Sequence, residues 1–155
     1  MPVFEVQIRA VLDRVSSVSA PSDYSWSFVF TCGSCGENTP KPVTFDESMS
    51  VDLIRGAKVT LTIKCKFCER TSDVTLLVEP HVYSDSGEFK PFVGLDCRGT
   101  SPSLWNIIEP LTIEGQRGFI FEDTEIINQE FFGYDEDLKQ ECSVTEFEHV
   151  LQRRK

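Results

Sequence analysis

YSWSFVFTCGSCG, residues 24–36, and KVTLTIKCKFC, residues 58–68, decide how this chain is read. In the first, Tyr24, Trp26, Phe28 and Phe30 alternate with Ser25, Ser27 and Val29, the period of two that turns one face of a strand into a core. In the second, Val59, Leu61 and Ile63 alternate with Lys58, Thr60, Thr62 and Lys64. Each run feeds directly into a Cys-x-x-Cys pair. A tight turn can aim two thiols so spaced at a single point, and each pair then supplies half of a tetrahedron. Four thiolates close the coordination sphere of one Zn²⁺ and leave no position for water or substrate, which defines a structural rather than a hydrolytic site. The expectation is one zinc per chain, held by Cys32, Cys35, Cys65 and Cys68. The same thiols are chemically able to hold an iron–sulfur cluster. A thioredoxin-like pair would instead open a helix in a βαβ unit, whereas both pairs here follow strands.

The 29 residues between Cys35 and Cys65 exceed the commoner ribbon spacing, and segments around Val43 and Val59 are expected to run out and back as a hairpin. Gly36 follows the first pair where a knuckle turn favours positive φ, while Glu69 occupies the same slot after the second, an uncommon place for a side chain. Zinc with four thiolates carries a formal charge of about -2. Lys64, Lys66 and Arg70 are placed in sequence to offset it and to lower the thiol pKa values.

Outward from this centre, Phe4, Val6, Ile8, Ala10 and Leu12 alternate with polar residues and predict an opening strand. Residues 73–78 read as the strand returning from the second pair. Pro80, Pro91, Pro102 and Pro110 then exclude long helices, leaving short strands at 92–97, 118–121 and 144–151. Val144, Phe147 and Val150 are irregularly spaced for a strand, and 134–142 is a turn or short helix. The predicted class is mainly β, a sandwich or paired packed antiparallel sheets, in one zinc-binding domain over residues 1–155.

The chain has 155 residues, 40% of them hydrophobic and 26% charged, an ordinary balance for a folded protein. No apolar stretch approaches the roughly 20 residues of a membrane-spanning helix. The start, Met1-Pro2-Val3-Phe4-Glu5, lacks the basic and apolar segments of a secretory signal, so the expected location is the cytoplasm, with the nucleus also open to it. A reducing compartment favours metal ligation over disulfides. The net charge of -10 opposes binding to nucleic acid or anionic membranes. Residues 114–148 hold eleven acidic side chains against Arg117 and Lys139, a net of -9. That stretch reads as a solvated face, with a docking surface for a basic partner as the alternative.

Other reactive residue types carry weaker signals. Cys97 and Cys142 lack chelating spacing and read as small buried hydrophobes. His81 and His149 have no partner motif and read as surface or core histidines, Ser84-Asp85-Ser86 reads as a turn, and Asp135, Glu136 and Asp137 as solvated carboxylates.

Taken with Cys32-Gly-Ser-Cys35-Gly36-Glu37, Lys64-Cys65-Lys66-Phe67-Cys68, Cys97-Arg98-Gly99 and the acidic stretch through Tyr134-Asp135-Glu136, the whole chain resembles the eukaryotic CXXC-motif-containing zinc-binding protein family. The resemblance implies a compact, mainly β protein of two related halves, zinc on the four matching cysteines, and no established catalytic activity. The functional expectation is a non-catalytic monomer with structural zinc whose surface binds other proteins. A metal carrier and a thiol redox switch are the alternatives.

Overall fold

The computed structural model describes residues 2–154, so Met1 and Lys155 lie outside the described residues. Among those residues no helix forms, and the chain runs through fourteen strands. They are β1 (Val3–Asp13), β2 (Val15–Ser19), β3 (Trp26–Cys32), β4 (Val43–Phe45), β5 (Val51–Asp52), β6 (Lys58–Val59) and β7 (Leu61–Lys64), followed by β8 (Thr71–Leu76), β9 (Val82–Tyr83), β10 (Lys90–Arg98), β11 (Thr100–Trp105), β12 (Thr112–Gly115), β13 (Phe131–Asp135) and β14 (Gln140–Arg153). A six-stranded sheet takes the order β13-β14-β1-β10-β8-β7. Two three-stranded sheets, β11-β3-β4 and β12-β2-β9, and the pair β5-β6 complete the fold, and every pairing is antiparallel.

The alternation in the sequence explains which faces meet. Val6, Ile8 and Ala10 of β1 and Trp26, Phe28 and Phe30 of β3 are all buried in one hydrophobic cluster. Across the sheets Trp26 meets Phe92 with ring centroids 6.0 Å apart, and Phe92 meets Trp105 at 6.1 Å. The sheet that ends in the first cysteine pair thus packs on the sheet that carries the second. Large aromatic side chains, Trp26, Phe92 and Trp105, meet in this contact.

β14, fourteen residues long, explains the irregular spacing of Val144 and Phe147. Glu146 adopts φ 52°, and the β1–β14 register shifts between Arg9 and Val11, so one extra residue brings both Val144 and Phe147 to the buried face. Prolines are accommodated in the same manner. Pro91 lies at a register shift in the β1–β10 pairing and Pro102 at another in β11, an edge strand, where a missing N–H costs little.

Several sequence expectations need correction. Val43 pairs with Phe28 and Val59 with Val51, so no single hairpin joins the segments around Val43 and Val59. The stretch 58–64 divides at Thr60, whose N–H bonds to the carbonyl of Val74. Only an isolated bridge between Glu114 and Ile120 forms in 118–121, and the chain turns there instead. The 134–142 segment is a β-hairpin, with β13 and β14 flanking a turn over 136–139.

Asp135 is not solvated: it is fully buried, and its Oδ1 accepts the N–H groups of Asp137 at 2.9 Å and Leu138 at 3.0 Å. One carboxylate of the acidic run is consumed in holding the hairpin turn, as Asx side chains do. Glu136 and Asp137 are exposed, as expected.

Near the end of the chain Arg154 ties β1 to the segment after β8 that carries Glu79. Its Nε donates to Glu5 at 2.6 Å, its Nη2 to Glu79 at 2.8 Å, and its backbone N–H to the carbonyl of Val3 at 2.7 Å. Gly94 makes room, because a Cβ there would lie 3.0 Å from Arg154 Nη2 and 2.9 Å from Glu79 Oε1. Burial of Glu5 raises its pKa, but the guanidinium and Gln7 outweigh that and hold it below the usual 4.5. Arg154→Ala leaves the buried Glu5 carboxylate without its cation and is expected to cost about 2 kcal/mol at neutral pH, discounted because Arg154 is partly exposed. A lowered carboxylate pKa stabilises the fold above the unfolded value and ceases to do so as pH falls through the folded one. The gap between wild type and variant, read from melting curves, therefore narrows below about pH 4.5.

Candidate metal centre

Two equivalent turns position the cysteines. In the first, the N–H of Cys32 bonds to the carbonyl of Glu37 and that of Gly36 to the carbonyl of Cys32, both at 2.9 Å. In the second, Cys65 N–H meets Arg70 O and Glu69 N–H meets Cys65 O, again at 2.9 Å. Gly36 has φ 78° and Glu69 φ 64°, so the second turn holds a side chain in the left-handed region that glycine occupies in the first. The matching hydrogen bonds show why the same shape is reached from different sequences.

These turns face each other, and all four sulfurs lie within 4.8 Å of one another. Cys32 Sγ is 3.7 Å from Cys68 Sγ, and Cys35 Sγ is 3.6 Å from Cys65 Sγ. A tetrahedron with zinc–sulfur bonds of about 2.3 Å has edges of about 3.8 Å, so the cluster fits one zinc ion. Bonded sulfurs would be only about 2.05 Å apart. Cys32 is buried, while Cys35 and Cys68 are exposed.

Backbone dipoles set the charge of the cluster. The N–H groups of Cys35 and Ser34 point at Cys32 and lower its pKa to about 6. Those of Cys68 and Phe67 lower Cys65 in the same way. Cys35 receives the N–H of Glu37 and Cys68 that of Arg70, but desolvation and the neighbouring thiols outweigh them, pushing Cys35 up to about 12 and raising Cys68. The downward shifts of Cys32 and Cys65 thus have the backbone of the knuckle turns as their leading cause, while the side chains of Lys64, Lys66 and Arg70 are exposed. Zinc is ligated by thiolate, so the cation would displace the remaining protons and supply the positive charge the cluster lacks.

Sequence reasoning missed a residue packed between the first turn and the strand that leaves the second. Gly99 has φ 82°, and its carbonyl accepts the N–H of Gly33, inside the first turn, at 2.9 Å. On its other side a Cβ would lie 2.8 Å from Ser72 Oγ, on β8 just beyond the second turn. Cys97-Arg98-Gly99 was the available signal; its meaning required knowing that β10 ends between the knuckles.

Other candidate residues stand apart from this centre. Cys97 is fully buried, and burial raises its thiol to about 12; Cys142 is buried beside Gln140 O, and burial raises it as well. His81 is buried with Nδ1 2.9 Å from Phe92 O and its ring against Trp26. His149 is half-buried against Trp105. Within Ser84-Asp85-Ser86, Ser86 Oγ accepts the N–H of Leu12. Among the described residues, the only grouping of three or more potential metal ligands is the four-cysteine set.

An antiparallel β fold presenting four convergent thiols from two opposed knuckles defines a small protein with a site for one zinc ion. The family described as "CXXC motif containing zinc binding protein, eukaryotic" matches residues 5–152, and the chain belongs to it. A Xenopus laevis protein of that name is 28% identical over 96% of this chain and 97% of its own length. A Drosophila melanogaster protein of the UPF0587 group is 27% identical over 92% of this chain and 91% of its own. The crystal structure of C1orf123 superimposes with a TM-score of 0.84 at 26% identity, covering 98% of this chain and 99% of that one. A hypothetical protein from Plasmodium falciparum shares the fold, with a TM-score of 0.86 at 18% identity over 98% of this chain and all of that one.

Proposed function

We propose that this is a non-catalytic cytoplasmic protein, monomeric in solution, in which Cys32, Cys35, Cys65 and Cys68 hold a structural zinc and the surface engages other proteins. The observation that carries the reading is the cross-knuckle sulfur spacing of 3.6 and 3.7 Å, which suits a closed four-thiolate sphere with no ligand position for a substrate. Elemental analysis of protein purified without added metal is expected to give one zinc per chain. Two metals, or iron with visible absorbance, would contradict the assignment.

A metal-carrier reading is favoured by the exposure of Cys35 and Cys68, through which a competing ligand gains access. Zinc release to a chelator, followed beside a melting curve of the stripped protein, separates the two. The structural reading expects slow release coupled to unfolding. Release within seconds from a chain that stays folded supports the carrier instead.

No nucleic-acid role accompanies either reading. Fluorescence polarisation with generic duplex DNA or RNA at physiological salt is expected to show no binding, because the net charge of -10 repels phosphate. Micromolar binding that weakens steeply with salt is the contrary result. Among the described residues no helix is long and apolar enough to cross a membrane.

A further inference from the structure

A sizeable groove lies away from the four cysteines. In the β3–β11 pairing Thr100 stands opposite Cys32 and Trp105 opposite Phe28, so β11 leads away from the knuckles over a run of roughly 17 Å. Just beyond Trp105, a groove of about 630 Å³ opens between residues 107–111, residues 125, 126 and 129, and residues 147–149. Its size is that of an ordinary ligand-binding site. Ile107, Ile108, Leu111, Ile126 and Phe147 make its apolar floor and walls. Ile107 and Ile108 are 39% and 47% exposed, adjacent isoleucines that leave a continuous apolar surface in water.

Glu109, Glu125 and Glu148 border the groove together with Gln129 and His149, and among the described residues no Lys or Arg lines it. Two of these carboxylates are fixed: Glu109 Oε1 accepts the N–H of Ser25 at 3.0 Å, and Glu148 pairs with Arg9 at 3.2 Å. Glu125 is exposed. Glu125 and Glu148 also belong to the acidic stretch 114–148, and the net charge of the whole chain is -10. An apolar trough rimmed by carboxylates rejects acidic chains and favours an apolar group flanked by cations.

We propose that this groove docks an extended peptide segment in which a bulky apolar side chain stands beside lysine or arginine. The proposal deepens the protein-interaction reading and rests on it: the partner is a basic, apolar linear segment, and its seat is the groove rather than the knuckles. The apolar side chain fills the space over Ile108 and Ile126, while its basic neighbours approach Glu125 and Glu109. Binding leaves the zinc site untouched.

Phage-displayed random dodecamers selected on the full-length, zinc-loaded protein test this. Enriched sequences are expected to combine Leu, Ile, Phe or Trp with an adjacent Lys or Arg. Synthetic versions of them should shift the methyl resonances of Ile107, Ile108 and Ile126. Glu125→Lys is expected to weaken binding about tenfold at low salt, and less at high salt, by reversing a charge on the rim. Ile108→Ser is expected to weaken it roughly tenfold at any salt by removing apolar contact. Both positions are exposed, so melting temperature and zinc content should stay unchanged. No enrichment, enrichment without basic residues, or indifference to Glu125→Lys would overturn the proposal. Methyl and amide shifts confined to the knuckle turns around Phe67 would overturn the groove while retaining a protein-interaction role.

Discussion

Cys65→Ser is expected to yield little soluble protein, and what is recovered should melt far below the wild type without bound zinc. The four ligands join two separate sheets: Cys32 closes β3 in the three-stranded sheet, and Cys65 follows β7 at the edge of the six-stranded one. Zinc binding is worth on the order of 10 kcal/mol or more to a small domain, against a typical total stability of about 5–15 kcal/mol. Losing one thiolate weakens the ion's hold and leaves three thiols, one of them the buried Cys32, without the cation that draws them together. Cys142→Ser is the control. That thiol is buried beside Gln140 O and touches no metal ligand, so the change should cost about 1 kcal/mol or less and leave zinc content at one per chain. Calorimetry and elemental analysis on the two variants give the comparison. Equal melting temperatures would show that the metal does not hold the sheets together.

Gly99→Ala is expected to destabilise by about 2–4 kcal/mol, combining the cost of a left-handed backbone with overpacking. At φ 82° an L side chain is disfavoured, and its Cβ would come within 2.8 Å of Ser72 Oγ. Since Gly99 O also accepts the N–H of Gly33, the strain is transmitted into the first knuckle. Zinc release to a chelator should therefore quicken, although no ligand has been altered. Adding Ser72→Ala removes the hydroxyl that clashes and should restore part of the stability, while the backbone cost persists. If Gly99→Ala matches wild type in both melting and release, the loop is not a brace between the knuckles. Substituting the exposed Gly87, which also has positive φ but has nothing within 4 Å of a Cβ, serves as the comparison for backbone strain alone.

Much of the core was visible in period two. Val6, Ile8, Ala10, Trp26, Phe28 and Phe30 alternate in the sequence and are buried in the structure, because a strand with one buried face imposes that pattern directly. Strands β2, β9, β11 and β12 left no such trace. They are short or irregular, and their hydrogen-bonding partners come from distant segments, as when Ile113 pairs with Val18. β11 was hidden by Pro102, whose lost N–H matters little at an edge, and the interior of β14 by the extra residue at Glu146.

The sequence by itself determined the chemistry available to the centre, four thiols in two Cys-x-x-Cys pairs after two strands, since spacing and residue type are local properties. It also determined that long helices are excluded from the proline-rich second half and that the molecule is strongly acidic. Only the tertiary structure decided that the sulfurs lie 3.6 and 3.7 Å apart across the knuckles, that backbone N–H groups lower Cys32 and Cys65, and that the carbonyl of Gly99 meets the N–H of Gly33 in the first knuckle. It alone buried Asp135 and gathered residues 107–111, residues 125, 126 and 129, and residues 147–149 around one groove. The division has a physical reason: alternation and turn chemistry act between neighbours, whereas distances between sulfurs, burial of a carboxylate and the shape of a groove arise from sheets packing together over large sequence separations.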